Sequence, residues 1–249
     1  MGYKLKQDDL LCFMHIPKTA GLSITSVLDA RFERSQIFPW HTVRRTPTPR
    51  WLWYVFLRMN RYRLVRGHFT VLCEKNIMRR LMPVKPVIVT MLRDPLARVV
   101  SDYQHNIRQR HIPKDTTLLS YLTEPQYQYL VVNLQTRWLA GSKLHHYDRQ
   151  HDWEWYQPDQ LLERAKRNLD TLAYFGIVEY FAESLQFMND HFGWEQPTTL
   201  PEVNRSPKPF DLSTLDDQEH DALHRRVALD IELYNHALRL FKQRYPGVV

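Results

Sequence analysis

The stretch Met14–Ser23, MHIPKTAGLS, decides the fold. It follows an apolar run, Leu10 to Met14 (LLCFM), with the length and composition of a buried strand. It precedes Leu22 to Phe32, where Leu22, Val27, Leu28 and Phe32 recur at helical spacing. A strand, a tight loop holding Gly21 and a lysine, and then a helix start make the geometry that binds a phosphate: backbone N–H groups and the positive end of the helix dipole converge on one point. The loop is therefore expected to hold an anion. An ordinary strand-to-helix turn with a solvated Lys18 would show the same residues, so the rest of the chain has to decide.

The loop departs from the ATP-binding pattern. A G-x-x-x-x-G-K-[ST] loop places its lysine after the second glycine and follows it with a hydroxyl for Mg²⁺. Here Lys18 precedes Gly21, and Pro17 stands where a flexible glycine is expected. The chain has 249 residues, 43 % apolar and 24 % charged, which fits one soluble α/β domain with insertions and excludes extensive disorder. A formal charge of +7 favours a polyanionic partner: nucleic acid, acidic glycan, anionic lipid or a nucleotide. Cys12 and Cys73 both lie in apolar surroundings and read as buried thiols.

Downstream, nine arginines between Arg31 and Arg66 face one acid, Glu33, with Trp40, Trp51, Trp53, Tyr54 and Phe56 among them. Such a segment suits single-stranded nucleic acid or an anionic sugar chain, and equally a helix with a solvated basic face. Its second half, Trp51 to Arg63, reads as a short helix after the TPTP of Thr46 to Pro49. Tyr62 to Gly67 alternates like a strand and delivers His68 to the carboxyl edge of a parallel sheet, the edge where the loop sits. Thr70 to Leu81 reads as a helix. Pro86 to Leu92 (PVIVTML) is the clearest buried strand, and Arg93 to Tyr103 (RDPLARVVSDY) opens a helix with Pro95 in its first turn and Asp94 as its cap. Arg93 and Ser101 both reach toward the sheet edge.

Thr116 to Gly141 has a helical pattern ending in NLQTRWLAG, and HHYDRQHDWEW (His145 to Trp155) carries His and Asp at no metal-ligand spacing. Ala173 to Val178 reads as a strand and Leu215 to Tyr245 as one amphipathic helix, with Leu223, Val227, Ile231, Tyr234, Leu238 and Phe241 on one face. Residues 1–249 thus read as a single domain, with an Arg- and aromatic-rich insert at 31–66, a loop at 142–158 and a C-terminal helix at 213–246.

Taken together, these motifs resemble the sulfotransferases that use 3′-phosphoadenosine 5′-phosphosulfate (PAPS), in particular the branch containing the heparan-type carbohydrate O-sulfotransferases. HIPKTAGLS is similar to their 5′-phosphosulfate loop, and RDP followed by Ser101 to their 3′-phosphate motif. The resemblance implies a central parallel sheet flanked by helices, and PAPS held by Pro17, Lys18, Thr19, Ala20, Gly21, Leu22, Ser23, Arg93 and Ser101. Lys18 would also stabilise the leaving phosphate. RGHFT matches the Gly-His turn that implies His68 as general base, and NLQTRWLAG implies Gln135 and Arg137 on the acceptor side. PEVNRSPKP (Pro201 to Pro209) resembles the late loop closing over the nucleotide, which implies donors from Arg205 and Ser206. Trp153 is expected to stack on the acceptor. Ala20 stands where the family often has glycine.

The expected reaction is sulfuryl transfer from PAPS to a hydroxyl-bearing acceptor, first of all an anionic carbohydrate and otherwise a lipid or small alcohol, releasing adenosine 3′,5′-bisphosphate with no metal. A metal-dependent nucleotide phosphotransferase would need a Mg²⁺-holding hydroxyl and carboxylate that the loop does not offer. A nucleic-acid-binding module would leave the paired nucleotide motifs without a purpose, so nucleic acid is not an expected partner. The chain shows no signal-peptide core and no apolar run near the ~20 residues of a membrane span. The expectation is a cytoplasmic, bacterial member without a transmembrane segment, or a trimmed catalytic domain.

Overall fold

The computed structural model describes residues 3–39, 61–68, 72, 85–141, 157–196 and 211–247. Four short strands, β1 Leu11–Met14, β2 Leu64–Gly67, β3 Val87–Leu92 and β4 Tyr174–Ile177, form one parallel sheet in the order β2-β1-β3-β4. Leu11 pairs with Leu64 on one side and Val87 on the other, and Val89 pairs with Tyr174. The chain runs from β1 to one neighbour and then crosses to the other, so the winding reverses between β1 and β3. The crevice outside the carboxyl ends at such a reversal is where open α/β sheets place ligands. The loop of His15 to Ala20 and Arg93 both lie there.

Among the described residues the helices are α1 Gly21–Asp29, α2 Pro95–Arg108, α3 Leu118–Thr123, α4 Gln128–Val131, α5 Leu134–Leu139, α6 Pro158–Asp170, α7 Phe181–Phe192, α8 Asp217–Arg226 and α9 Ala228–Arg244. The strands are apolar on both faces because helices cover both. Leu11, Phe13, Val89, Met91 and Tyr174 share one core with Ile24 and Leu28 of α1 and Phe181, Leu185 and Met188 of α7. Met14, Leu92, Phe175 and Ile177 share the other with Leu134 and Trp138 of α5, Leu162 of α6 and Ala237 and Phe241 of α9. A third core joins Val99 of α2, Tyr121 of α3, Val131 of α4 and Leu223 of α8.

Two expected helices are broken. Thr116 to Gly141 folds as three short helices and a 3-10 turn, and the last break falls at Asn133, whose φ of 44° is left-handed. Leu215 to Tyr245 divides at Val227 (φ −118°, ψ 20°) into α8 and α9. The break splits the apolar stripe: Leu223 and Val227 enter the third core, while Tyr234 and Phe241 pack beneath the sheet. The two breaks support each other. The Asn133 side-chain oxygen accepts from the backbone N–H groups of Leu229 and Asp230 at 2.9 and 3.3 Å. In return the buried Asp230 carboxylate accepts from Gln135 N at 3.2 Å and from Thr136 N and Oγ1, each at 2.7 Å. Each helix start is thus capped from the other segment. Trp51 to Arg63, Thr70 to Leu81, the 142–158 loop and Cys73 lie wholly or mostly outside the described residues. Among the described residues no helix is long and apolar enough to cross a membrane.

Candidate active site

β1 ends at Met14, where the Thr90 hydroxyl donates to the Met14 carbonyl at 2.7 Å and locks the edge of β3 to it. The chain then turns tightly. Lys18 (φ 69°) and Ala20 (φ 57°) are both left-handed, a conformation that costs a non-glycine residue about 1–2 kcal/mol. The Thr19 side chain turns inward, fully buried, its hydroxyl donating to Ile16 O at 2.9 Å, so it braces the loop. Pro17, Gly21 and Ser23 are buried, whereas Leu22 is 66 % exposed. Ala20 supplies no side-chain cap to α1, and the first turn carries no acid. Strained backbone beside an uncapped helix start is the geometry that anion loops use.

Around this loop the charge is lopsided. Burial pulls the Lys18 ammonium below the ordinary lysine range; Asp102 opposes the shift, while Arg108, Arg93 and Arg98 reinforce it. Burial likewise lowers Arg93, against the pull of Glu179. Arg98 is completely buried on α2, its Nη1 3.9 Å from Asp102, and neither its Nε nor its Nη1 has a hydrogen-bond partner among the described residues. The four cations Lys18, Arg93, Arg98 and Arg108 outnumber the three carboxylates that act on Lys18 and Arg93, those of Asp102, Glu179 and Asp94, and a bound anion would relieve their repulsion and desolvation together. This donor set fits a phosphorylated nucleotide.

Arg93 is held from several sides. Its Nη1 donates to Lys18 O at 3.2 Å. Its backbone N donates to Gln135 Oε1 at 3.0 Å, and its carbonyl accepts from Gln135 Nε2 at 2.8 Å. Asp94 caps α2 as expected, accepting from Ala97 N at 2.9 Å. The Glu179 carboxylate accepts from Asp94 N at 3.0 Å and from the Tyr234 hydroxyl at 2.6 Å, fixing the β3 exit to α9. Ser101 lies two turns along α2, half-buried.

His68 follows β2 at the same edge. Its Nδ1 lies 2.9 Å from the carbonyl oxygen of His15, which can only accept; the Nδ1–H tautomer satisfies this contact and puts the lone pair of the neutral ring on Nε2. Trp138 meets the ring edge-on at 6.4 Å, and the His15 ring stacks on it at 4.2 Å. His15 is not among the site residues expected from the sequence. Its signal was available: His15 lies two residues after Phe13, on the same side of the chain, immediately before the loop.

Gln135 and Arg137 are the residues expected on the acceptor side. Both are 1 % exposed: Gln135 clamps the Arg93 backbone, and Arg137 donates to Tyr129 O at 2.7 Å, its pKa pushed down to about 9 by burial. Part of the basic insert is also engaged within the chain. Arg31 donates to Asn189 and lies over the Trp194 ring, Arg63 donates to Lys6 O, and Arg66 pairs with Asp29. Arg205, Ser206 and Trp153 lie outside the described residues. No cluster of three or more His, Cys, Asp or Glu able to hold a metal occurs among the described residues.

Comparison with known proteins gives a consistent result. A family model described as "Sulfotransferase family" matches residues 1–237. Among curated proteins, heparan-sulfate 6-O-sulfotransferase 2 of Gallus gallus is 25 % identical over 283 residues, covering 98 % of this chain and 70 % of its own length. Heparan-sulfate 6-O-sulfotransferase 1 of Homo sapiens is 25 % identical over 286 residues, covering 98 % and 68 %. Heparan-sulfate 6-O-sulfotransferase 3-B of Danio rerio is 24 % identical over 292 residues, covering 100 % and 67 %.

Proposed function

The chain belongs to the sulfotransferase family, and from that premise we propose that it transfers a sulfuryl group from PAPS to a hydroxyl of a carbohydrate acceptor. The observation that carries the reading is the convergence of Lys18, Arg93 and His68 at one sheet edge, with the first two joined directly. The names of the relatives favour a heparan-type polysaccharide.

Lys18 and the loop N–H groups hold the 5′ end of the nucleotide, and Arg93 with Ser101 holds the 3′-phosphate. PAPS supplies the sulfuryl group, and adenosine 3′,5′-bisphosphate is the product. His68 takes the acceptor proton at Nε2 as the new S–O bond forms; an alcohol is too weak a nucleophile to attack without that help. Lys18 stabilises the negative charge that develops on the departing phosphate oxygen. A sulfuryl group carries less charge than a phosphoryl group, so these cations suffice and no metal is required.

The test is PAPS turnover in the presence of a chelator, offering chemically desulfated heparan-type polysaccharide, a long-chain alcohol and a small phenol in parallel. The expected result is sulfate incorporated into the polysaccharide at an unchanged rate with chelator. Transfer only to the alcohol or phenol would overturn the carbohydrate acceptor, and a rate abolished by chelation would overturn the metal-free mechanism.

A further inference from the structure

We propose that His15 is the positioning residue of His68, fixing the tautomer and ring orientation with which His68 meets the acceptor. The inference rests on His68 being the base in the reaction above and adds the residue that holds it.

His15 engages His68 through both backbone and ring. Its N–H donates to Gly67 O at 3.0 Å, continuing the β1–β2 ladder by one residue and setting the Gly67–His68 turn in place. Its carbonyl faces His68 Nδ1 at 2.9 Å. Its ring lies against the His68 ring with centroids 4.2 Å apart and planes 29° from parallel.

The His15 ring is itself confined. Phe13 stacks on it at 5.5 Å and 11°. At the start of α1, a Cβ added to Gly21 would fall 1.6 Å from His15 Nε2. The imidazole therefore occupies the space that any side chain at position 21 would need, which explains a glycine at the first residue of a helix, where its backbone freedom is otherwise a cost. A chain of contacts thus runs from Phe13 and Gly21 through His15 to His68. It couples the orientation of the base to the loop holding the nucleotide. A base misplaced by about 1 Å can lose ~10²-fold in rate, so this alignment has kinetic weight.

The experiment compares His15→Ala, His15→Phe and, should the alanine variant not fold, His15→Leu, which fills volume without a planar face. Turnover with PAPS is measured alongside the histidine-ring ¹H–¹⁵N NMR spectrum and the NOE contacts between the His68 and Trp138 rings, with the His68 signals assigned through His68→Gln. We expect His15→Ala to lower kcat about tenfold with little change in KM for PAPS and to weaken the NOE contacts of the His68 ring to Trp138 as the ring loses its stacked support, while the main-chain carbonyl at position 15 keeps the Nδ1–H tautomer. His15→Phe restores both. In the His68→Gln background, His15→Ala has no further effect on rate. Unchanged His68–Trp138 ring contacts in His15→Ala, or an equal further loss of rate in the His68→Gln background, would overturn the proposal. The NMR arm needs no turnover: a wild-type protein inert toward PAPS contradicts the proposed function, while the orientation of the His68 ring still decides the role of His15.

Discussion

The Arg93 guanidinium donates to the Lys18 carbonyl oxygen at 3.2 Å, tying the loop after β3 to the loop after β1 where the winding of the sheet reverses. The two residues are 75 positions apart in sequence. Their contact makes one anion site from two loops: the left-handed turn at Lys18 aims its carbonyl at Arg93 while leaving its ammonium among cations. A ligand with negative charge at both ends of a nucleoside matches that spread.

Arg93→Ala is expected to weaken adenosine 3′,5′-bisphosphate by about 10- to 100-fold, the scale of a charged hydrogen-bonding group, and to affect adenosine 5′-phosphate much less. Gln135→Leu should act in the same direction, because it releases the Arg93 backbone at both N and O. Calorimetric titration of both nucleotides reads the difference, and equal weakening of the two would remove Arg93 from the 3′-phosphate.

Replacing His68 by Ala should lower turnover by roughly 10²-fold or more while nucleotide affinity is nearly kept, as expected for a general base. Steady-state rates and titration on the same preparation check this. Near wild-type turnover would mean that another group takes the proton.

What the sequence made legible was local. LLCFM and PVIVTML announce β1 and β3 by composition, and RDP announces a capped helix, because strand burial and N-capping depend on residues a few positions apart. What escaped depends on partners far along the chain. Gln135 belongs to Arg93, 42 residues away, and Asp230 to Thr136, 94 residues away. No periodicity reveals that NLQTRWLAG faces inward. The breaks at Asn133 and Val227 escaped for the same reason: apolar spacing continues through both, and contacts between the two distant segments, reciprocal capping among them, stabilise them. His15 was visible as a residue, but its stacking on His68 required the pairing of β1 with β2.

Ala20→Gly should stabilise the fold by about 1 kcal/mol, since glycine adopts φ 57° without the penalty an alanine carries. For a chain of this size that raises the melting temperature by roughly 2–4 °C. Calorimetric melting of the two proteins decides it, and a lower melting temperature would show that the alanine methyl supports the loop.

Stability should fall on mild acidification. Burial holds the imidazoles of His105 and His191 below the ordinary histidine value of 6.5, His105 being pressed further by Lys18 and His191 by Arg244. The unfolded chain therefore binds protons that the folded one does not, and stability is lost as pH falls from about 6.5 through the folded values. Asp230, raised by burial, works the other way and offsets part of this loss as pH falls through its raised value. Urea midpoints at about pH 7.5 and about pH 5.5 should differ in wild type, and differ less in His105→Gln and His191→Gln. An unaltered slope in both variants would assign the acid sensitivity elsewhere.

The most direct measurement is calorimetric titration of the purified protein with adenosine 3′,5′-bisphosphate, with ATP and adenosine 5′-phosphate as controls and no added metal. The account predicts tight binding that requires the 3′-phosphate and is lost in Lys18→Ala. Equal affinity for all three nucleotides, or no binding of any, would contradict the assignment of the joined Lys18 and Arg93 loops as the sulfuryl-donor site.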